Sequence, residues 1–291
     1  MQNNKNTSDS LSIQWFPGHM KKAERELTKS LPLVDAVAEL RDARIPLSSE
    51  NPNLKRLSEG KPRFIILNKA DLADEASSNK WVVEFKKQGL PVILTDCTSG
   101  RGLKNFPSAV KSLLSEKINR DRSRGIVGRP LRVMIVGIPN TGKSTLINRL
   151  SKTAKAEAQD RPGVTRQRQW IRISADCELL DMPGILVPKF EDKYAAEKLA
   201  YTGAITDRIV DTETLAAHLA ENLREIYPNA LKTRYSADFS PDDDGFSILR
   251  KIAKKRGFLI SGGETDTERA ALVLLDEFRG GKLGRITLEL P

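Results

Sequence analysis

One short stretch of the chain has residue types and spacing suited to binding phosphate. Residues 137–144 read Gly-Ile-Pro-Asn-Thr-Gly-Lys-Ser, which fits the pattern G-x-x-x-x-G-K-[ST], between an apolar run and a run with helical spacing. Glycines let the backbone curl so that successive N–H groups face phosphate oxygens. We predict that Lys143 binds phosphate and that the Ser144 hydroxyl is a ligand of Mg²⁺. The other expected phosphate contacts of this phosphate loop are Asn140, Thr141, Gly142 and Thr145.

Two later segments supply candidates for the remaining magnesium and γ-phosphate contacts. Residues 181–184, Asp-Met-Pro-Gly, end a strand-like run and have the form D-x-x-G. Asp181 can hold Mg²⁺ through water, and the N–H of Gly184 can meet a γ-phosphate. Thr165 lies in a polar loop between the two motifs. A lone threonine in a loop would indicate nothing, but this position favours a threonine that completes the magnesium shell.

A fourth motif, which we call the guanine loop, predicts the base. Residues 68–71 read Asn-Lys-Ala-Asp directly after an apolar run. The Asp71 carboxylate can accept hydrogen bonds from N1–H and the exocyclic amine of guanine, whereas adenine would leave it unpaired, which argues against an ATPase. Lys69 can lie along the base, and Asn68 can join this loop to the phosphate loop. In isolation the motif could be a helix-capping turn with Asp71 or Asp74 as the cap, but beside the phosphate loop and the D-x-x-G motif the guanine-binding interpretation is preferred.

The order of these motifs is unusual. Conventional GTPases run from the phosphate loop through D-x-x-G and N-K-x-D to a Ser-Ala loop, whereas here the guanine loop comes first and the phosphate loop third. The chain therefore resembles a circularly permuted GTPase. The second loop, at Cys97 and Thr98, departs from the Ser-Ala pattern. We predict that it binds guanine, with the Thr98 N–H reaching guanine O6.

The elements around these motifs alternate between strand-like and helical runs. Expected strands cover Val34–Leu40, Phe64–Leu67, Val92–Thr95 and Leu131–Val136, and a hairpin covers Gln169–Ser174 with Glu178–Asp181. Expected helices cover Lys21–Ser30, Ser77–Gln88 and Leu103–Lys117, and another opens at Gly142. This alternation indicates a parallel sheet with crossover helices. We predict an α/β fold, the doubly wound, mostly parallel sheet of a P-loop GTPase in circularly permuted order.

A second domain is expected after residue 188. Apolar residues there fall at helical spacing in Glu213–Ile226, Phe246–Lys255 and Glu268–Phe278. We therefore predict a GTPase domain with an N-terminal extension over residues 1–188 and a smaller, mostly helical domain over residues 189–291. The basic stretch Ile118–Pro130 is predicted to be the connector that permutation requires, because the termini of compact domains often lie close enough to be joined.

Four segments narrow the resemblance to one family. Residues 15–20 (Trp-Phe-Pro-Gly-His-Met), 42–46 (Asp-Ala-Arg-Ile-Pro), the phosphate loop and residues 278–284 (Phe-Arg-Gly-Gly-Lys-Leu-Gly) are similar to ribosome biogenesis GTPase A, the YlqF type. The resemblance spans nearly the whole chain. It implies GTP hydrolysis in a late step of large ribosomal subunit assembly, with the helical domain contacting ribosomal RNA.

The resemblance also implies a catalytic residue and a second cation. Ile185 stands where conventional GTPases have a glutamine that orients water. In the resembling family a histidine of the Pro-Gly-His motif is proposed for this role, which here is His19; the alternative is that His19 only packs a turn. His218 is expected to be structural. In similar GTPases an asparagine at the position of Asn140 accompanies K⁺, so K⁺ is expected besides Mg²⁺.

Composition and charge bear on partners and location. The net charge is +10, but the first 188 residues carry +12 and the remainder −2. A basic excess favours a polyanionic partner, and the expected partners are GTP/GDP and the ribosomal RNA and proteins of the large subunit. The alternative is a regulatory GTP/GDP switch acting on a protein. No apolar run approaches the roughly 20 residues that cross a bilayer, and the two cysteines lack metal-ligand spacing, so we expect a reduced, cytoplasmic protein. A monomer is also expected.

Overall fold

A computed structural model of the protein describes residues 17–157, 169–182, 193–207 and 210–291, with the backbone alone for 17–23, 153–157 and 169. The chain divides into two compact units. The described residues of the first are 17–157, 169–182 and 284–291, and those of the second are 193–207 and 210–283. None of the described helices is long and apolar enough to span a membrane.

The first unit is built on a six-stranded sheet. Its strands are β1 (Ala36–Asp42), β2 (Arg63–Asn68), β3 (Val92–Leu94), β4 (Leu131–Gly137), β5 (Gln169–Ser174) and β6 (Cys177–Asp181). They lie in the order β3-β2-β1-β4-β6-β5, and every neighbouring pair is parallel except the β5–β6 hairpin. The mostly parallel α/β sheet predicted from the sequence is confirmed.

Helices cover both faces of this sheet. They are α1 (Pro17–Ser30), α2 (Pro52–Leu57), α3 (Glu75–Lys87), α4 (Phe106–Leu113), α5 (Ser115–Ser123) and α6 (Lys143–Glu157). Successive strand residues point to opposite faces. Ile66 therefore packs with Phe106 of α4, whereas Ile65 packs on the other face with Trp81 of α3. Burial on both faces explains why these strands read as continuous apolar runs.

The helix predicted over residues 103–117 and the connector predicted over residues 118–130 differ from the structure. A single 3₁₀ turn at Leu103–Asn105 leads into α4, and α5 then continues to Ser123. No residue of α5 is buried, so its sequence has no apolar stripe to mark it as a helix. An ion pair between Lys117 and Asp121, four residues apart, supports it instead.

The second unit is helical, as predicted. Its helices are α7 (Lys193–Tyr201), α8 (Thr212–Ile226), α9 (Pro228–Tyr235), α10 (Gly245–Arg256) and α11 (Thr267–Arg279). Aspartates cap three of them, with Asp211, Asp244 and Asp266 accepting from main-chain N–H groups of the first turn. A side chain at Gly245 would place Cβ 2.2 Å from the main-chain oxygen of Ala217. Glycine therefore allows α10 to begin directly against α8.

The end of the chain was not anticipated. Residues 284–291, which we call the C-terminal tail, follow the helical unit in sequence but belong to the first unit by their contacts. Four of its side chains are buried, namely Ile286, Thr287, Leu288 and Glu289. The sequence boundary after residue 188 remains a prediction, but the domain that was assigned to residues 189–291 excludes this tail in the structure.

Candidate nucleotide site

The motifs meet at the carboxyl edge of the sheet. Strand β1 ends at Asp42, β2 at Asn68, β4 at Gly137 and β6 at Asp181. These strands are parallel, so the loops that follow them leave from the same edge, where ligands of open α/β sheets bind. The predicted residues at the ends of these strands, in the loops after them or at the start of the following helix are Asn68, Lys69, Asp71, Asn140, Thr141, Gly142, Lys143, Ser144, Thr145 and Asp181. Cys97 and Thr98 lie in the loop after β3, which is parallel to β2. Thr165 and Gly184 lie outside the described residues.

The phosphate loop needs its glycines. Gly142 has φ +96°, and a Cβ there would lie 2.3 Å from Nδ2 of Asn68. A Cβ at Gly137 would lie 2.8 Å from the main-chain oxygen of Leu40. Asn140 also has positive φ, 60°, a conformation that asparagine tolerates better than most residues. The loop is therefore curled tightly, as a cradle of N–H groups requires.

Thr141 shapes the phosphate loop from inside. Its side chain is buried, and its Oγ1 donates a hydrogen bond to the main-chain oxygen of Ile138 at 2.8 Å. Any contact of Thr141 with a phosphate would thus come from its main chain. Ser144 and Thr145, in the first turn of α6, are exposed.

Asn68 joins three loops. Its Nδ2 donates to the main-chain oxygen of Thr141 at 2.7 Å, and its Oδ1 accepts from the main-chain N of Cys97 at 3.0 Å and from Oγ1 of Thr95 at 3.3 Å. Asn68 is buried, so all of these bonds are shielded from water. The join between the guanine loop and the phosphate loop that we predicted for Asn68 is present.

Lys69 is anchored by residues at the end of β1. Its Nζ lies 3.0 Å from Oδ2 of Asp42, which also receives Nη2 of Arg44 at 2.8 Å. Burial alone would raise the pKa of Asp42, but the charges of Arg44 and Lys69 outweigh burial and hold the pKa well below its usual value. In the sequence, Asp42 and Arg44 stand out only as part of the segment that carries the family resemblance. The sequence signal that could have revealed this ion pair is an acidic and a basic residue two positions apart at the end of an apolar strand.

The two aspartates of the guanine loop region have different roles. Asp74 caps α3, because its Oδ1 accepts from the main-chain N of Ser77 at 2.7 Å, and this bond lowers the pKa of Asp74. Asp71 is exposed, which leaves its carboxylate accessible to a base. It also lies near Cys97: burial raises the pKa of that thiol to about 11, and the charges of Asp96 and Asp71 add to the rise.

The loop at Cys97 and Thr98 is held by a carboxylate. Asp96 Oδ1 accepts from the main-chain N of Thr98 at 2.8 Å and of Ser99 at 3.2 Å. The N–H that we expected to reach guanine O6 is therefore engaged within the protein, and binding the base would require Thr98 to give up this bond. The role of Thr98 stays a prediction.

Lys143 and Asp181 form an ion pair, with Nζ 2.5 Å from Oδ1. A phosphate would compete for the lysine and a cation for the carboxylate. The donor set suits Mg²⁺, which prefers hydroxyl and carboxylate oxygens and takes its remaining ligands from water and phosphate. No group of three His, Cys, Asp or Glu side chains suited to a metal occurs among the described residues, and a site of this kind needs none.

His19 lies in the first turn of α1, where the backbone alone is described. The structure thus places it at the start of a helix and leaves its proposed role open. The other histidine, His218, lies in the helical unit with Nδ1 3.2 Å from Oε1 of Glu197. This hydrogen bond with Glu197 raises the pKa of His218, against the opposing effect of burial.

Comparisons with known proteins agree on one family. Residues 132–234 match the family model described as 50S ribosome-binding GTPase. Ribosome biogenesis GTPase A of Bacillus cereus is 46% identical over 279 residues, which cover 96% of this chain and 94% of the relative. The same-named protein of Bacillus licheniformis is 45% identical, covering 96% and 98%. The solved GDP-bound structure of TM YlqF matches with a TM-score of 0.68 at 31% identity, covering 92% of this chain and 99% of that one.

Proposed function

Since this chain belongs to the ribosome biogenesis GTPase A family, we propose that it binds and hydrolyses GTP at the site described above, in a late step of large (50S) ribosomal subunit assembly. The observation that carries this proposal is the set of hydrogen bonds made by Asn68. They bring a base-reading motif and a phosphate-binding motif together across 73 residues of sequence. A guanine nucleotide is the ligand that needs both motifs in one place.

Each end of the nucleotide has its own residues. Asp71 accepts hydrogen bonds from the guanine base, and Lys69, held by Asp42, lies along it. Asn140, Gly142 and Lys143 bind the phosphates together with the other phosphate-loop residues. Ser144, Asp181 and Thr165 would hold Mg²⁺, which would supply positive charge beside the transferred phosphoryl group. Gly184 donates its N–H to the γ-phosphate.

The residue that orients the attacking water cannot be the one that follows the D-x-x-G motif, as it is in conventional GTPases. Ile185 follows the D-x-x-G motif, and an isoleucine side chain cannot orient water. We propose His19 as the catalytic residue, because an imidazole can both orient water and accept its proton. It lies in the first turn of α1.

Asn140 is the residue proposed to accompany K⁺. Its φ of 60° turns the backbone out of the ordinary region at the top of the phosphate loop. A monovalent cation there would supply positive charge between the phosphates, where conventional GTPases receive it from an arginine. Replacing K⁺ by Na⁺ in the assay should then lower turnover while leaving GDP affinity unchanged.

The partner proposed for this activity is the large ribosomal subunit, with its ribosomal RNA and proteins, in the cytoplasm, and the protein itself acts as a monomer. The first 188 residues carry a net charge of +12, which favours RNA phosphates. On the exposed helix α5 and the stretch after it, Arg120, Arg122 and Arg124 contribute to this excess. A partner that completes the catalytic geometry explains how an enzyme without the usual glutamine turns over.

The test is association and turnover with purified large subunits at physiological salt. We expect cosedimentation to be tighter with a non-hydrolysable GTP analogue than with GDP, because only the analogue carries the γ-phosphate that the segments of Thr165 and Gly184 are proposed to meet. GTP turnover should rise at least about 10-fold on adding subunits. Equal association in both nucleotide states, together with no stimulation, would favour a regulatory switch acting on a protein instead.

A further inference from the structure

We propose that the C-terminal tail positions the guanine loop, with Arg285 and Glu289 as positioning residues for guanine recognition. This inference rests on the proposed function, because it takes Asp71 as the residue that reads the base. Nothing in the sequence motifs points to the tail, which is separated from the guanine loop by more than two hundred residues.

The tail holds the backbone on both sides of Asp71. Before Asp71, the main-chain oxygen of Ala70 accepts from Nη2 of Arg285 at 3.0 Å. After it, the oxygen of Ala73 accepts from Nε of Arg285 at 2.8 Å, and the oxygen of Leu72 accepts from the N–H of Ile286 at 2.9 Å. One arginine and its neighbour thus fix three carbonyl groups within a four-residue span around the base-reading carboxylate.

The contacts of the C-terminal tail extend to the start of α3. The N–H of Asp74 donates to Oγ1 of Thr287 at 3.1 Å. Nη1 of Arg285 forms an ion pair with Glu75 at 2.9 Å. Both partners of that ion pair are well exposed, so it adds little stability by itself. The bonds from Arg285 to main-chain oxygens matter more, because they fix geometry and not only charge.

The tail also forms hydrogen bonds with the loop that follows β1. The N–H of Leu288 donates to the main-chain oxygen of Arg44 at 2.8 Å, and the Glu289 carboxylate accepts from the N–H groups of Leu47 at 2.6 Å and of Ser48 at 3.1 Å. The Ser48 hydroxyl donates to the same carboxylate. Glu289 is only 6% exposed, and a buried carboxylate persists only when it is hydrogen-bonded in this way.

The tail therefore bridges the two loops that prepare the base site. One loop carries Asp71, and the other directly follows Asp42, which pairs with Lys69 of the first. A buried indole also holds the tail in place: Nε1 of Trp81 donates to the main-chain oxygen of Glu289 at 2.8 Å. Recognition by two hydrogen bonds to one carboxylate depends on its position to a fraction of an ångström. Loss of these tail contacts should therefore lower the discrimination between bases more than it lowers the affinity for phosphate.

The experiment compares two truncations for binding of GDP and of inosine diphosphate, which lacks the exocyclic amine. One chain ends after Gly284 and loses the whole bridge. The matched control ends after Glu289 and loses only Leu290 and Pro291, which are exposed. We expect the shorter chain to bind GDP at least about 10-fold more weakly, the scale of one hydrogen bond of about 1.4 kcal/mol. Its affinity for inosine diphosphate should change much less, so the GDP preference shrinks.

A milder variant covers the case in which the shorter chain does not fold. Arg285→Ala should lower the GDP preference in the same direction, and Arg285→Lys should restore part of it. Arg172→Ala, which removes an exposed arginine on β5 that also donates to main-chain oxygens, should leave it unchanged. Equal weakening of both nucleotides by Arg285→Ala, or no change in either, would overturn the proposal and leave the tail a structural element. If the parent itself shows no GDP preference, or Asp71→Asn does not alter it, the proposed function fails instead.

Discussion

The ammonium nitrogen of Lys69, in the guanine loop, lies 3.0 Å from the carboxylate of Asp42 at the end of β1. Lys69 has a positive φ of 61°, a backbone conformation that costs about 1 kcal/mol or more for a residue with a side chain. Arg44 completes the group by contacting both oxygens of Asp42 at 3.0 and 2.8 Å. The Lys69–Asp42 ion pair therefore offsets the backbone strain at Lys69. It also orients the lysine side chain, which is expected to lie along the base.

Removing the shared carboxylate should weaken both folding and nucleotide binding. Asp42→Asn leaves the buried Arg44 without its counter-charge, which typically costs about 3–5 kcal/mol of unfolding free energy. Urea denaturation measures this loss, and GDP affinity should fall with it. The control is Asp176→Asn, whose ion pair with Lys111 is exposed on both sides and should be worth about 1 kcal/mol or less. Similar losses in both variants would contradict the assigned role of Asp42.

Stability should also depend on acid through Asp42. Its pKa in the folded protein lies below the ordinary value of 3.8, so the folded state binds this proton less readily than the unfolded state. The stabilisation is fully present above pH 3.8 and is lost as the pH falls towards the folded pKa. Between these values the advantage of the parent over Asp42→Asn should shrink by up to about 1.4 kcal/mol per pH unit. Urea midpoints of the two proteins at several acidic pH values provide the measurement, and parallel curves would rule the linkage out.

Base specificity should follow Asp71. Asp71→Asn should weaken GTP binding by about 2–3 kcal/mol, the scale of a charge-assisted pair of hydrogen bonds, and should shift preference to xanthosine triphosphate. Competition binding with the two nucleotides measures this. The matched control is Asp74→Asn, three residues further on, whose side chain caps α3 and should leave base preference unchanged. Unaltered GTP affinity in the Asp71 variant would remove the assignment.

Magnesium should act through Asp181. Chelating divalent ions should lower the GTP affinity of the parent at least about 10-fold, since Mg²⁺ screens the phosphate charge. Asp181→Asn should respond less to chelation, because one of the groups that hold the ion is already lost. The control is Glu178→Gln. Glu178 lies three residues earlier on β6 and pairs with Arg132 on the neighbouring strand β4. Equal chelation effects in all three proteins would place the ion elsewhere.

Hydrolysis should separate from binding at His19. His19→Ala should keep near-normal GTP affinity yet lose about 10- to 1,000-fold in subunit-stimulated kcat, the range for a water-positioning or general-base group. The chain contains two histidines, so His218→Ala is a natural control, and it should keep full turnover. If His19→Ala turns over GTP as fast as the parent on large subunits, the histidine is structural.

Local sequence was sufficient to predict the order of the strands and most of the helices. The phosphate loop and the guanine loop each combine a buried strand with a turn whose residue types leave few alternatives, as Gly142 shows by having no room for a side chain. From the sequence, the neighbouring motifs favoured a base-binding loop over a capping turn. The structure divides those roles, because Asp74 makes the cap bond and Asp71 does not occupy the cap position.

Tertiary structure alone decided which distant residues support the site. The continuation of α5 beyond Lys117 was not predicted, because this helix buries no residue and so carries no periodic signal. The hydrogen bond between Asp96 and Thr98 depends on a side-chain rotamer that no motif specifies. The contacts of Arg285 and Glu289 join residues more than two hundred positions apart. Periodicity and spacing report only on neighbours along the chain, whereas these partners are chosen by how the completed sheet brings its loops together.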